Sequence, residues 1–344
     1  MQGNSAIRVG DSEPGDQEVW DWAPGLNTMT TTEDRGPLML LIVGEALVAF
    51  QRDLGRPDDP PRPPDASGAP AIASYIAARL GVPTAFVGGV GSDELGRFFR
   101  DTIYAAGVTA ATVQVSPDRP TATVGITYDA GGSRAFDFAV TSSAALEVGE
   151  AALNGLPERA DWLHLSGSAL FFGEPLASTA IAAARRAHAA GARVSVDPNI
   201  RLEAMTAQSA ARLREMIGLA HLVLPSEGEL EALGLTEDEL LERGAIVCRT
   251  MGAEGAVVRT GDASVSVPAV ADPAAVMDTD GAGDTFAAAF IAATLDGADP
   301  VAAARVASRV VARAIAVLGP MSVVLSPADL RRDDGFGEDG SPAR

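Results

Sequence analysis

Between residues 37 and 330 the apolar positions fall into short runs that switch between two periods. PLMLLIVGEALVAF (37–50) is almost unbroken apolar sequence, the pattern of a buried strand that runs into a turn. AIASYIAARLG (71–81) repeats its apolar residues at helical spacing and stops at a glycine, which predicts a helix with a glycine end. The alternation continues with a strand in PTAFVGGVG (83–91) and a helix in DELGRFFRDTIYAAG (93–107). Further on, WLHLSGSAL (162–170), RVSVDPN (193–199), LVLPSEGE (222–229) and AIVCRTMG (245–252) read as short buried strands. Helices are expected between them in LASTAIAAARRAHAAG (176–191) and AQSAARLREMIGLA (207–220). Such alternation predicts an α/β fold with a mostly parallel central sheet and helices on both faces. Ligands of sheets of this kind gather beyond the C-terminal ends of the strands.

One stretch leaves this rhythm. TATVGITYDAGGSRAFDFAV (121–140) alternates with period two around a glycine turn, which is a hairpin pattern. With the proline-rich QRDLGRPDDPPRPPDASG (51–68) it is expected to form a small β lid, from about 49–66 and 110–140, over the strand ends. Residues 1–36 and the tail 331–344 carry no sustained period and are expected to be disordered. Residues 37–330 then form one domain, with no internal repeat.

Composition narrows the chemistry. A 47% hydrophobic share supplies a packed core, and a net charge of −20 argues against nucleic-acid and acidic-membrane partners. All 26 basic side chains are arginine, so mechanisms that need a P-loop, kinase-strand or Schiff-base lysine are excluded. Any phosphate chemistry must then use backbone amides, arginine or metal. The single cysteine, Cys248, excludes an internal disulfide framework and suits a reducing cytoplasm. His164, His188 and His221 lack metal-ligand spacing. No apolar run reaches the roughly 18 residues of a membrane helix, and the N-terminus is not signal-like.

The stretch DTDGAGDTFAAAFIAATLDG (278–297) places acids and glycines where an alanine-rich helix must begin. A calcium loop fails, because an EF-hand needs glycine at its sixth position and glutamate at its twelfth, and Ala289 stands at the twelfth. Two readings remain: a glycine turn that merely joins strand to helix, and an anion hole. In the second, the amides of Gly281, Ala282 and Gly283 face a phosphate and the helix adds its dipole. Asp284 then stands where an attacking hydroxyl would give up its proton.

DTDGAGDTF resembles the C-terminal signature of the ribokinase-like (PfkB) carbohydrate kinases, and the resemblance spans about residues 38–326. VGEALVAF, SGAPAIASYIAARLG, GGSR, VDPNIR and PSEGEL look most like its sugar-kinase branch, which includes tagatose-kinase-like and 2-keto-3-deoxygluconate-kinase-like proteins. The resemblance implies a ribokinase-like fold, with ATP and Mg2+ as cofactors and a sugar or sugar acid as acceptor. Asp284 would be the catalytic base and the 281–284 backbone the anion hole. Gly68 and Ala69 would meet the substrate, and Arg201 the substrate or phosphate. Asp197 and Asn199, in VDPNIR, would face the nucleotide. Thr250, Gly252 and Gly255 fit a T-x-G-x-x-G turn that packs on the nucleotide, and Ser308 lies on the helix that lines the adenine pocket. Glu229 matches the glutamate that organises Mg2+, although Ser226 replaces an asparagine. A monovalent-cation site beside Asp278 and a homodimer through the lid are further implications. GVPTAFVGGVGSDELG (81–96) lacks the spacing of a dinucleotide fingerprint, so its glycines are read as packing positions.

Two departures bear on the acceptor. Ala49 stands where many sugar kinases have an aspartate that binds hydroxyls, and Ile72 stands where they have asparagine. A site built to bond a hydroxyl discriminates through that bond, so the catalytic motif is intact while the substrate motif is altered. The expected activity is an ATP-dependent sugar kinase. A nucleoside kinase of the same fold and a non-catalytic sugar or nucleotide sensor remain as alternatives.

Overall fold

In the computed structural model the chain is described over residues 39–53, 62–109, 113–128, 134–261 and 263–331. The proposed disordered ends, most of the proline-rich loop and the hairpin turn with GGSR lie outside these residues, save Met39, the residues flanking the loop, Arg134 and Arg331.

The strands in chain order are β1 (Leu40–Val43), β2 (Leu47–Asp53), β3 (Asp65–Ser67), β4 (Thr84–Gly91), β5 (Val113–Ser116), β6 (Ala122–Tyr128) and β7 (Arg134–Ala139). They continue with β8 (Trp162–Ser166), β9 (Arg193–Asp197), β10 (Leu222–Val223), β11 (Ile246–Thr250), β12 (Ala256–Thr260) and β13 (Ala263–Val267). The helices are α1 (Ala69–Arg79), α2 (Glu94–Ala105), α3 (Ala169–Phe172), α4 (Leu176–Ala189) and α5 (Ala207–Gly218), then α6 (Glu229–Ala232), α7 (Glu237–Glu242), α8 (Ala282–Leu295) and α9 (Pro300–Ala314).

Among the described residues a nine-stranded sheet runs in the order β13-β12-β11-β10-β9-β8-β1-β4-β5. Its pairs are parallel from β5 to β11 and antiparallel only at the β12 and β13 edge. Alternation along β1 shows why helices cover both faces. Leu40 and Ile42 point into a core shared with Ile76, Phe99, Phe290 and Val310, which belong to α1, α2, α8 and α9. Leu41 and Val43 point into the opposite core with Leu170, Ile181, Leu213 and Leu240, from α3, α4, α5 and α7.

The alternating segment 121–140 does form an antiparallel hairpin, β6 with β7. It joins β2 and β3 in a second sheet of order β3-β2-β6-β7. The stretch 110–140 divides, because Val113–Ser116 pairs with β4 at the rim of the large sheet and not with the hairpin. The small sheet buries Leu47, Ala49, Val124 and Ile126 on its inner face, with Phe138 packed against them.

Helix α8 carries its apolar residues all round, the mark of a helix with no solvent face. Every residue from Thr285 to Thr294 is buried. Replacing Phe290, 1% exposed, with alanine therefore opens a cavity that nothing nearby can fill. Phe290→Ala is expected to lower the unfolding free energy by about 3–5 kcal/mol in a denaturant titration, with the slope unchanged.

Candidate active site

From β1 the chain adds β4 and β5 on one side, then returns to place β8, β9, β10 and β11 on the other. The strand order therefore reverses between β1 and β8, and the crevice outside their C-terminal ends is where such a sheet binds ligand. Glu45 stands two residues beyond β1 and Ser168 two beyond β8, and the Ser168 hydroxyl donates to Glu45 Oε1 at 2.7 Å. Around them lies a hollow lined by Gly68, Ala69, Ile72, Arg201, Asp280 and Asp284, with Phe136, Phe138 and Phe172 on the small-sheet side. A second hollow lies between Leu80, Val82, Leu295 and Leu330, but its charged groups, Asp296 and Arg331, are paired with each other.

The first turn of α8 faces the binding hollow. Gly281 has φ +69°, a left-handed conformation that side chains resist. A Cβ there would lie 2.8 Å from Pro320 Cβ and 3.1 Å from Ile72 Cδ1, so both space and backbone require glycine. The helical ladder begins with the Thr285 amide donating to the Gly281 carbonyl at 2.8 Å. The amides of Gly283 and Asp284 precede it and have no carbonyl of their own helix to reach. Gly283 is exposed, which leaves its amide open to a ligand.

The Asp284 carboxylate has no hydrogen-bonding protein partner among the described residues. Burial pushes its pKa up to about 7, Asp280 and Glu45 add to the rise, and Arg201 opposes it. A carboxyl poised near neutrality is what a general base requires. The Arg201 guanidinium lies 6.0 Å from the Phe136 ring centre and lowers the pKa of Asp197, Glu229 and Glu45 as well as that of Asp284. Asp197 is buried at the end of β9, where burial, Glu229 and Asp284 drive its pKa well above the usual carboxylate range. Its Oδ1 accepts the Asn199 amide at 2.9 Å and stabilises a turn in which Asn199 takes φ +38°.

Glu229 is held from both sides, accepting the Ile200 amide on Oε1 and the Ser226 amide on Oε2, each at 2.7 Å. Those bonds tie the ends of β9 and β10 together. Ser226 in turn approaches Thr250, hydroxyl to hydroxyl, at 3.3 Å. Gly252, with φ +55°, and Gly255, with φ +98°, shape the turn after β11, and a Cβ at Gly255 would meet the Val267 carbonyl at 2.1 Å. Ser308 donates to the Pro268 carbonyl at 3.0 Å, so its hydroxyl fastens α9 to the segment after β13.

The sequence-selected residues thus divide. Gly68, Ala69, Arg201 and the 281–284 turn meet at the hollow, with Asp197 reaching under Gly283 and Glu229 linking Ile200 to Ser226. Thr250, Gly252, Gly255 and Ser308 lie away from it, the first three at and just beyond the C-terminal end of β11 and Ser308 in the middle of α9. Asp278 is turned aside, accepting the Asp280 amide at 2.9 Å, the Gly319 amide at 3.2 Å and Gln51 Nε2 at 3.5 Å. Of the departures, Ile72 does line the hollow, but Ala49 is buried inside the small sheet. Glu45, Ser168, Asp280 and the lid phenylalanines had not been selected. The VGEALVAF motif pointed to Glu45's neighbourhood, whereas Ser168 and the phenylalanines carry no sequence signal of their own.

Residues 41–326 match the family described as pfkB family carbohydrate kinase. A fructokinase of Salmonella typhimurium is 36% identical over 236 residues, covering 65% of this chain and 75% of the relative. Among solved structures, a putative ribokinase II from E. coli in complex with ATP and Mg2+ superposes with a TM-score of 0.76 at 27% identity, over 86% of this chain and 98% of that one. A fructokinase from Vibrio cholerae O395, in a fructose, ADP and calcium bound form, gives 0.73 at 27% identity with the same coverage of each chain.

The electrostatics of Asp284 can be read without any substrate. In a carboxyl-carbon NMR titration, Asp284 is expected to titrate near pH 7 rather than near 4. Arg201→Met is expected to move that midpoint upward, because the guanidinium favours the ionised form.

Proposed function

The chain belongs to the pfkB family of carbohydrate kinases, and from that premise we propose that it transfers the γ-phosphoryl group of ATP to a hydroxyl of a sugar, with Asp284 as base. It is a phosphotransferase with an alcohol group as acceptor. The observation that carries the finer reading is the Asp284 carboxylate, unpaired and poised near neutrality, at the first turn of a buried helix and on the wall of the hollow at the strand ends.

The acceptor hydroxyl would lie in the hollow and give its proton to Asp284 as it becomes nucleophilic. The amides of residues 281–284 would hold the oxygens on which charge develops, contacts typically worth about 3 kcal/mol each. Arg201 keeps a permanent positive charge beside them. ATP when bound brings the transferable group, and Mg2+ neutralises its phosphate charge. The donor set fits a metal carried mainly on phosphates: no group of three or more metal-binding side chains occurs among the described residues, and Glu229 is held in place by two amides near the nucleotide side. Thr250, Gly252, Gly255 and Ser308 would flank the nucleotide together with Asp197 and Asn199, and Gly68 and Ala69 would touch the acceptor. Asp278 stands where a monovalent cation is expected, though its oxygens already serve the turn.

Fructose is the first acceptor to test, because relatives of this chain are named fructokinase, and the sequence resemblance adds tagatose and 2-keto-3-deoxygluconate to the panel. Phe136, Phe138 and Phe172 on one wall favour nucleosides as the second class to test.

Incubation with Mg-ATP and this panel is expected to release ADP with one sugar. Asp284→Asn is expected to fold normally and to lose turnover by roughly 10^2–10^4-fold. The same variant has a stability signature. Because the folded pKa lies above the unfolded value, the native state sheds stability as pH rises from about 4 to about 7, and the asparagine removes that loss. Asp284→Asn should therefore melt higher than wild type at pH 8. Near-wild-type turnover in this variant rules out the base assignment.

A further inference from the structure

Glu45 is the residue of the hollow that the phosphoryl-transfer reading leaves without a task. It is 1% exposed, two residues beyond β1, and directly at the crevice where the strand order reverses. One carboxylate oxygen, Oε1, accepts the Ser168 hydroxyl at 2.7 Å, and Ser168 also exchanges a hydrogen bond with Ser166 at 2.8 Å. The other, Oε2, is fully buried and has no hydrogen-bond partner within 3.5 Å among the described residues, although the amides of Glu45 and Ala69 face the carboxylate and favour its ionised form. Leaving a buried polar atom unsatisfied costs about 1–3 kcal/mol, and more when it is charged. The side chain lines the same hollow as Asp284 and Arg201. A carboxylate kept there, with one oxygen anchored and the other idle, is half of a hydrogen bond.

We propose that Glu45 Oε2 receives a hydroxyl of the acceptor, and that the acceptor is accordingly a neutral polyhydroxy sugar and not a sugar acid. The proposal rests on the sugar-kinase reading and assigns the substrate class within it. A hydroxyl both donates and accepts, so it can pair with Glu45 in either protonation state. An anionic carboxylate cannot pair with an ionised one. The charges that face the hollow point the same way: among the described residues that line it, Glu45, Asp280 and Asp284 are set against the guanidinium of Arg201. Glu45 thus takes over the hydroxyl-binding role that Ala49, buried in the small sheet, cannot fill.

A purely structural role for Glu45 would be to face the N-terminus of α1, since the Ala69 amide favours its ionised form. Stability separates the two. Glu45→Gln keeps shape and fold while removing a desolvated charge. Wild type, Glu45→Gln and Ser168→Ala would be compared by calorimetric titration, without nucleotide, against D-fructose, D-tagatose, gluconate and 2-keto-3-deoxygluconate, and by thermal melting. The expected result is binding of a neutral ketohexose by wild type, weakened about 10-fold or more in Glu45→Gln and by a smaller factor in Ser168→Ala. The melting temperature of Glu45→Gln should be equal to or above that of wild type. Preference for a sugar acid, no binding of either neutral sugar, affinity within twofold in Glu45→Gln, or a lowered melting temperature in that variant would each overturn the assignment. Because binding is read without ATP, it is independent of turnover. Sugar binding that depends on Glu45 with no ADP formed by wild type would sink the phosphoryl-transfer reading alone, and normal sugar turnover in Glu45→Gln would sink this one alone.

Discussion

Helix α8 is buried along its length between its two ends, and the end that opens onto the hollow at the strand ends is its first turn. Ten consecutive residues, Thr285 to Thr294, are buried between the sheet and helices α1 and α9. The turn that precedes it is fixed just as firmly, because Gly281 sits against Pro320 and Ile72 with no room for a Cβ. The Ala282 amide turns back to the Thr279 carbonyl at 3.4 Å, and the amides of Gly283 and Asp284 are therefore presented at a position set by the hydrophobic core itself. Packing energy, not a mobile loop, does the orienting. Preorganisation of this kind is what makes fixed dipoles effective on developing charge, since nothing must reorganise when the charge appears.

The same core makes the site electrostatically costly. Glu45, Asp197, Glu229 and Asp284 are all driven toward their neutral forms chiefly by burial, and Arg201 eases each of them. A chain selected for stability alone would not gather four acids around one guanidinium. The arrangement is intelligible if the acids have different tasks. Glu229 ties β9 to β10, Asp197 sets the turn that carries Arg201, Asp284 stands unpaired, and Glu45 keeps one oxygen idle. Asp197 and Glu229 accept backbone amides, Glu45 is anchored through Ser168, and Asp284 has no hydrogen-bonding protein partner among the described residues.

Much of this architecture is legible in the sequence because periodicity reports burial. The alternating strands and helices, the hairpin at 121–140 and the buried start of the chain's last motif all follow from it. Strand order does not, since β1 reads the same whether it lies at an edge or in the middle, and only its central place beside β8 turns Glu45 and Ser168 into partners. For the same reason Val113–Ser116 could be assigned to the lid, although it extends the large sheet. Side-chain direction is equally silent. Ala49 and Ile72 look like equivalent losses along the chain, yet Ile72 lines the hollow whereas Ala49 is packed into the apolar cluster of Leu47, Val124 and Ile126 on the face of the small sheet. Asp278 and Asp284, six residues apart in one motif, diverge because the turn uses the first to hold Asp280 and Gly319 in place.

A chain without lysine and with a net charge of −20 must bind a polyanion against its own long-range field. That field is screened within about 8–10 Å at physiological salt, whereas contacts inside a buried crevice are screened much less. The attraction must then be local: helix amides, whose partial charges cannot titrate, and an arginine, whose charge persists beside acids that would depress a lysine. Arg201 is suited to this because it is flanked by Phe136 on one side and by carboxylates on the other. Confining positive potential to that one spot has a further effect. On the reading proposed above, the transferable phosphoryl group would be drawn to the first turn of α8, and the acid-lined hollow beside it, with Glu45 and Asp280, would take an uncharged partner. The division of the crevice into an anion side and a hydroxyl side thus arises from a single buried helix end and the distribution of charge around it.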